Sequence, residues 1–387
     1  MSSKRVVTLL GLAGFIVMAD NWVVSPLLPA ISKGIGVSTV SAGILVTAYM
    51  LPFGIFQLLF GPLADRFGKV RVILTTFTIF TIATALCALG ANLTSLALFR
   101  MLTGVFAAAT MPISLALIAD IVPMEGRQKA IGSFMGISFL GQALSMGIGG
   151  AIAYAFDWRG VFVVYGIVAA FVAVALWRML PAAVGEHETK NPDSPMLKPY
   201  LSLLGNGASL RTYLTIFFEG VFLLGSFSYL GAVLSERFDL SFLAIGAVMT
   251  AFGVAALVAG RVSNRIVGRI GHVPTVVFGL VLMAIADGVV WTGGKSLLLT
   301  AIGVFLLGFG FMTTHTTLLT IATGFAEKAR GAAMSLAPFA LMLGGAVGTQ
   351  IAGRVIAATS YSTMYAAFGV GLAVLALFAS KAIKFKA

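Results

Sequence analysis

The sequence predicts an all-α membrane protein, with twelve transmembrane helices in two pseudo-symmetric six-helix bundles. Three observations predict it. The first is composition: of 387 residues, 59% are hydrophobic and 10% are charged. A domain folded in water cannot hide that much apolar surface, so the solvent must be lipid. The second is segment length, because the apolar runs divide into twelve pieces close to the ~20 residues that cross a bilayer. The third is a repeated charged turn. Gly61-Pro62-Leu63-Ala64-Asp65-Arg66-Phe67-Gly68-Lys69-Val70-Arg71 joins two apolar runs, and a weaker copy follows at Gly260 to Gly271. Asp65-Arg66 and Asn264-Arg265 are 199 residues apart. A charged turn repeated half a chain later reads as two homologous halves.

In order, the segments are 6–31, 39–64, 72–91, 95–119, 130–156, 160–180, 212–235, 242–263, 274–292, 297–323, 332–358 and 363–383. Several are glycine-rich. In lipid the backbone must satisfy its own hydrogen bonds, so helix remains the expected state. The first run follows Met1 to Arg5 like a signal peptide, but it reaches about residue 31, carries Asp20 and lacks a convincing cleavage site. A retained first helix is expected. With the N-terminus cytoplasmic, 19 of the 25 Lys and Arg residues fall on the inner side. This asymmetry predicts a multi-pass protein of the cytoplasmic (inner) membrane with both termini cytoplasmic.

The one long loop, Pro181 to Leu210, is polar and holds Glu186, His187, Glu188 and Asp193. It is expected to be a cytoplasmic linker between an N-terminal bundle (1–180) and a C-terminal bundle (211–387). The repeat extends further. Arg127 before segment 5 and Arg330 before segment 11 are 203 residues apart, and Gly141, Ser145 and Gly150 match Gly344, Gly348 and Gly353 at the same offset. Small residues four apart let membrane helices pack closely.

Several functions are disfavoured. The net charge of +12 lies in short turns between apolar runs, so no nucleic-acid partner is expected. No phosphate-cradling Gly-x-x-x-x-Gly-Lys-Ser/Thr loop occurs. Three scattered histidines and one cysteine give no metal-ligand spacing. No nucleophile–base set falls in a water-facing segment, so no enzyme is expected. Buried charges in two halves also suit alternating access better than an open channel.

Gly61, Asp65, Arg66, Gly68 and Arg71 match the signature loop of the major facilitator superfamily. Arg100-Met101-Leu102-Thr103-Gly104 resembles that family's helix 4 motif with its buried arginine, and Asp20 with Pro26-Leu27-Leu28-Pro29 resembles its helix 1 motif. Asp157-Trp158-Arg159 with Phe162 resembles the entry to its sixth helix. Over essentially its whole length the chain is similar to that superfamily, and most similar to bacterial drug–proton antiporters. One departure stands in segment 5. Ser145-Met146-Gly147-Ile148-Gly149-Gly150 occupies the antiporter motif Gly-Pro-x-x-Gly-Gly, with Met146 in place of proline.

The resemblance implies a monomeric secondary transporter with no cofactor, the proton as coupling ion and a small-molecule substrate. The leading expectation is export of amphipathic or cationic compounds, including drugs. Uptake of a sugar or organic anion, or lipid flipping, are the alternatives. In this superfamily helices 1, 4, 7 and 10 line the central cavity, and they carry Asp20, Arg100, Glu219 and His315. A charge at the bilayer centre costs about 3 kcal/mol on insertion scales, so each needs a reason. Counting 1.5 Å per residue, Asp20 lies about 16 Å and Arg100 about 9 Å from the outer ends of their helices, within reach of an ion pair. Glu219 and His315 lie about 11 and 13 Å from the inner ends of theirs, so they too are expected to meet. These four are the expected proton-coupling residues. Asn21, Gln57, Gln142 and Gln350 are candidate substrate contacts. Asp120 is expected to join the gating loop through Arg66 or Arg71. Asp287 is expected to be solvated at the membrane interface.

Overall fold

The computed structural model describes residues 3–184, 198–292, 296–325 and 330–383. Twelve helices in it are long and apolar enough to cross a membrane. They are α1 (Ser3–Trp22), α2 (Thr39–Phe67), α3 (Lys69–Cys87), α4 (Leu93–Ile121), α5 (Met124–Ala155), α6 (Trp158–Ala182), α7 (Gly207–Phe238), α8 (Phe242–Ile270), α9 (His272–Thr292), α10 (Leu297–Gly324), α11 (Gly331–Ala358) and α12 (Tyr361–Ala382). Polar caps set many of their starts. Asn92 and Ser95 form a capping box before α4, and Ser241, Ser296 and Ser360 each accept from an N3 amide at the starts of α8, α10 and α12.

Two long helices are not continuous rods. α1 breaks at Val23 and resumes as Val24–Ile35, with Pro29 inside. In α7 the turn Gly220–Leu224 is a π-helix starting directly after Glu219. The linker expected over 181–210 is shorter than its bounds imply. The sixth helix continues to Val184, α7 begins at Gly207, and a short helix occupies Lys198–Gly205. Glu186, His187, Glu188 and Asp193 lie outside the described residues.

Glycine sets the internal register. Gly68 and Gly271 end α2 and α8 at φ +96° and +87°, a region L side chains avoid. They are 203 residues apart, the offset of the α5 and α11 glycines. The repeat therefore aligns at 203, and the match of Asp65-Arg66 with Asn264-Arg265 at 199 is four residues out of register. The counterpart of Asp65 is Gly268, and that of Arg66 is Arg269.

Glycines also bring the halves together. A side chain at Gly150 would run into the Phe242 carbonyl, and one at Gly246 into the Met146 carbonyl. Gly253 packs against the Ala143 backbone. Hence α5 and α8 cross almost backbone to backbone, which is how small residues drive association in lipid. Met146, in place of the antiporter proline, is fully buried in this crossing, and α5 runs unbroken through it. Within each half a matching contact recurs: Gly141 of α5 abuts the Phe15 carbonyl of α1, and Gly344 of α11 abuts the Phe217 carbonyl of α7.

Candidate functional site

A cavity of about 660 Å³ lies between the first six and the last six spanning helices. It reaches the end of the molecule that carries the charged turns, where Gly61, Pro62 and Asp65 line it beside Tyr200 of the linker helix. The Tyr200 hydroxyl donates to the Leu58 carbonyl at 3.1 Å, tying the linker helix to α2.

The opposite end is closed by contacts between the halves. Trp22 of α1 packs against Phe227 and Phe252, each 5.2 Å away by ring centroid, and against Phe311 at 6.2 Å. Further out, the Tyr229 hydroxyl donates to the Val40 carbonyl at 3.3 Å, and Gln350 Nε2 donates to Thr47 Oγ1 at 2.8 Å. The side chains of this plug were not singled out from sequence. Its rings come from α1, α7, α8 and α10 and share no spacing, so only the fold assembles them.

The four intramembrane ionisable residues form two separate pairs. Arg100 Nη1 donates to Asp20 Oδ2 at 2.7 Å, and both side chains are sealed, at 1% and 0% exposure. The Arg100 guanidinium also lies 4.3 Å from the Tyr49 ring centroid. This pair sits inside the first half and does not border the cavity. In the second half, His315 Nδ1 and Glu219 Oε2 are 3.2 Å apart. Glu219 is fully buried and His315 is 16% exposed. His315 lines the cavity and stacks on Phe311, 5.4 Å between ring centroids. Of the four residues expected to face one central opening, only His315 does. The reason is side-chain direction: the helices are cavity helices, but Asp20, Arg100 and Glu219 point into their own bundles.

Asn21, Gln57 and Gln142 line the cavity, each at most 7% exposed. Among the described residues, Asn21 Oδ1, Gln57 Oε1 and Gln142 Nε2 are buried without a hydrogen-bond partner. Gln350, expected as a substrate contact, is not among the residues lining it; its amide donates to Thr47 across the seal opposite the charged turns.

At the charged turn, Lys69 Nζ lies 2.8 Å from Asp120 Oδ2 and 3.7 Å from Asp65 Oδ1. Lys69 is therefore the cation facing Asp120, rather than Arg66 or Arg71, whose side chains are exposed. Lysine at this position begins α3 and is 4% exposed, so it reaches inward, whereas Arg66 and Arg71 fall on the outer face. Asp287 also departs from expectation. It is fully buried, with Ser226 of α7 as its neighbouring hydrogen-bonding side chain, and its Cβ packs beside Gly369 of α12.

Twelve spans, two repeats aligned at 203 and a cavity closed at one end define a polytopic membrane transporter. The family model of the Major Facilitator Superfamily matches residues 10–349 and 225–384, and the chain belongs to that superfamily. It is 28% identical over 363 residues to the uncharacterized MFS-type transporter YceJ of Bacillus subtilis, covering 94% of this chain and 92% of the relative. It is 25% identical to the multidrug transporter protein MdtP of the same organism, covering 92% of this chain and 76% of that one. The fold is also that of the nucleoside transporter NupG, with a TM-score of 0.81 at 15% identity over 99% of this chain and 100% of that one. The protein is a multi-pass membrane transporter and not an enzyme.

Proposed function

We propose that the protein is a proton-coupled exporter of small amphipathic compounds, working as a monomer by alternating access in the cytoplasmic membrane. The observation that carries this reading is the cavity between the halves, which reaches the charged-turn end and is plugged at the other end by cross-half contacts alone. The charged turns are read as cytoplasmic from the basic-residue asymmetry. Rocking of the halves would break the Trp22 plug and close the end at Asp65 and Tyr200. The resemblance to a multidrug transporter supports export.

His315 and Glu219 are the first candidates for coupling, because only this pair touches the cavity. An ionised Glu219 holds His315 through Nδ1 and so presents the other ring nitrogen to a bound ligand, and protonating Glu219 releases that pose. A ligand that holds His315 favours the opposite proton state, so proton and substrate bias different states. Asp20 and Arg100 would act inside the first half, where a proton on Asp20 loosens Arg100. The Lys69, Asp65 and Asp120 contacts, with Gly61, Gly68, Arg66 and Arg71 around them, form the gating loop.

The test is flux into proteoliposomes under an imposed pH gradient, with a panel of amphipathic dyes on either side. Gradient-driven movement opposite to proton flow is expected, and Glu219→Gln should abolish its pH dependence. Movement with the protons would establish uptake instead. No gradient-driven movement in either direction, or unchanged pH dependence in Glu219→Gln, refutes the coupling scheme.

A further inference from the structure

We propose that the cavity binds an uncharged, flat-bodied ligand whose amide-, lactam- or imide-type edge is read by the carboxamides of Asn21, Gln57 and Gln142; this deepens the transporter reading above and rests on it.

The first argument is charge. Among the described residues lining the cavity, only Asp65 and His315 carry an acidic or basic side chain. Asp65 sits at the mouth, 3.7 Å from Lys69. His315 is engaged by Glu219, which is itself sealed from the cavity. Neither Asp20 nor Glu219 borders the cavity, so neither offers a cation its charge there. A charged ligand would leave water and find no free counter-charge on these walls, a penalty an uncharged ligand does not carry.

The second argument is hydrogen bonding. The three carboxamides come from α1, α2 and α5, all in the first half. They are 7%, 5% and 4% exposed, yet among the described residues none of them makes a side-chain hydrogen bond. A buried amide without a partner carries an unmet desolvation cost of about 1–3 kcal/mol. Each carboxamide offers both a donor and an acceptor, so a ligand edge presenting both recovers that cost best.

The third argument is the opposite wall. Met312, Met342, Leu319 and Pro338 of α10 and α11 are apolar. Thioether side chains adapt to varied shapes, and the Trp22 and Phe311 rings at the blind end favour a flat aromatic body. The two walls together describe a molecule with one polar edge and an apolar remainder.

The experiment uses the purified full-length protein in nanodiscs and three probes of matched size: naphthalimide, N-methylnaphthalimide and N-methylacridinium. Equilibrium dissociation constants are measured for each. Naphthalimide is expected to bind tightest. N-methylation removes its donor and should weaken binding roughly tenfold, with the acridinium cation weaker still. Gln57→Leu and Gln142→Leu should narrow the gap between the two imides while leaving N-methylnaphthalimide bound, and that retained binding reports a folded cavity.

The proposal is overturned if the cation binds as tightly as the imide, if naphthalimide does not bind up to its solubility limit, or if the carboxamide variants leave the imide gap unchanged. Because binding is read without flux, the two readings fail separately. Dye flux with the wrong binding order removes only the ligand class, and the right order without flux removes only the coupled transport.

Discussion

Removing Arg100 should be more damaging than removing both members of its pair. The Asp20 and Arg100 side chains are sealed and meet at 2.7 Å, and a second guanidinium nitrogen lies 3.4 Å from the Asp20 carbonyl. Arg100→Met leaves the Asp20 carboxyl sealed without its partner, a loss of about 3–5 kcal/mol for a buried pair. It also removes the contact with Tyr49, worth up to about 2 kcal/mol when desolvated. Asp20→Asn keeps an acceptor for Arg100 but strands its charge, so it too should cost about 3–5 kcal/mol. In the double variant no buried charge is stranded, so its loss should fall below that of Arg100→Met alone. The assay is unfolding of the four proteins in nanodiscs, analysed as a double-mutant cycle. Losses that simply add would show that the two charges do not depend on each other, and the reasoning would fail.

Three other outcomes follow from the packing. Gly253→Val places a branched side chain against the Ala143 backbone, so the α5–α8 crossing should open; cross-linking of cysteines introduced on the two helices should fall at least several-fold. Removing the cross-half bonds with Tyr229→Phe and Gln350→Ala forfeits about 0.5–1.5 kcal/mol each, enough to shift the population of the plugged state roughly two- to tenfold per bond. Spin-label distances across the outer ends would read that shift. Asp287→Asn keeps the shape of a buried acid without a charge to strand, so its thermal midpoint should stay near wild type, whereas Asp287→Lys should prevent accumulation in the membrane.

The spans were legible in the sequence because lipid imposes a simple ruler of length and apolarity. The pairings Asp20–Arg100 and Glu219–His315 were legible because axial depth follows from counting residues. Direction around each helix was not. Depth fixes how far down a side chain lies, but only packing decides whether Glu219 turns to the cavity or behind His315. The same ambiguity misplaced Asp287, which faces inward beside Gly369. Gln350 was misread for a related reason: a cavity exists in one arrangement of the halves, and this residue lies on the side that arrangement closes.

The register of the repeat bears on mechanism as well as ancestry. At an offset of 199, Asp20 and Glu219 look like one acid duplicated in both halves. At 202, the spacing of Phe15 and Phe217 where α1 and α7 meet the matching Gly141 and Gly344, each faces an apolar counterpart, Phe222 and Val17. The two acids are therefore not structural counterparts, and the halves are not equivalent. Their surroundings differ accordingly. Asp20 precedes the break at Val23 and is held by a sealed arginine. Glu219 precedes the π-turn Gly220–Leu224, which lies against the backbone of α11 at Gly344 and Gly348. π-turns inside helices mark places where backbone hydrogen bonding can be rearranged, and they recur at functional sites. A change of charge at Glu219 thus acts on the turn of α7 best able to shift, next to the one ionisable side chain at this depth that borders the cavity. Asp20 has a break behind it but no path to the cavity except through its own bundle. That asymmetry supports the proposal that coupling, if it is to move α7, runs through the second half.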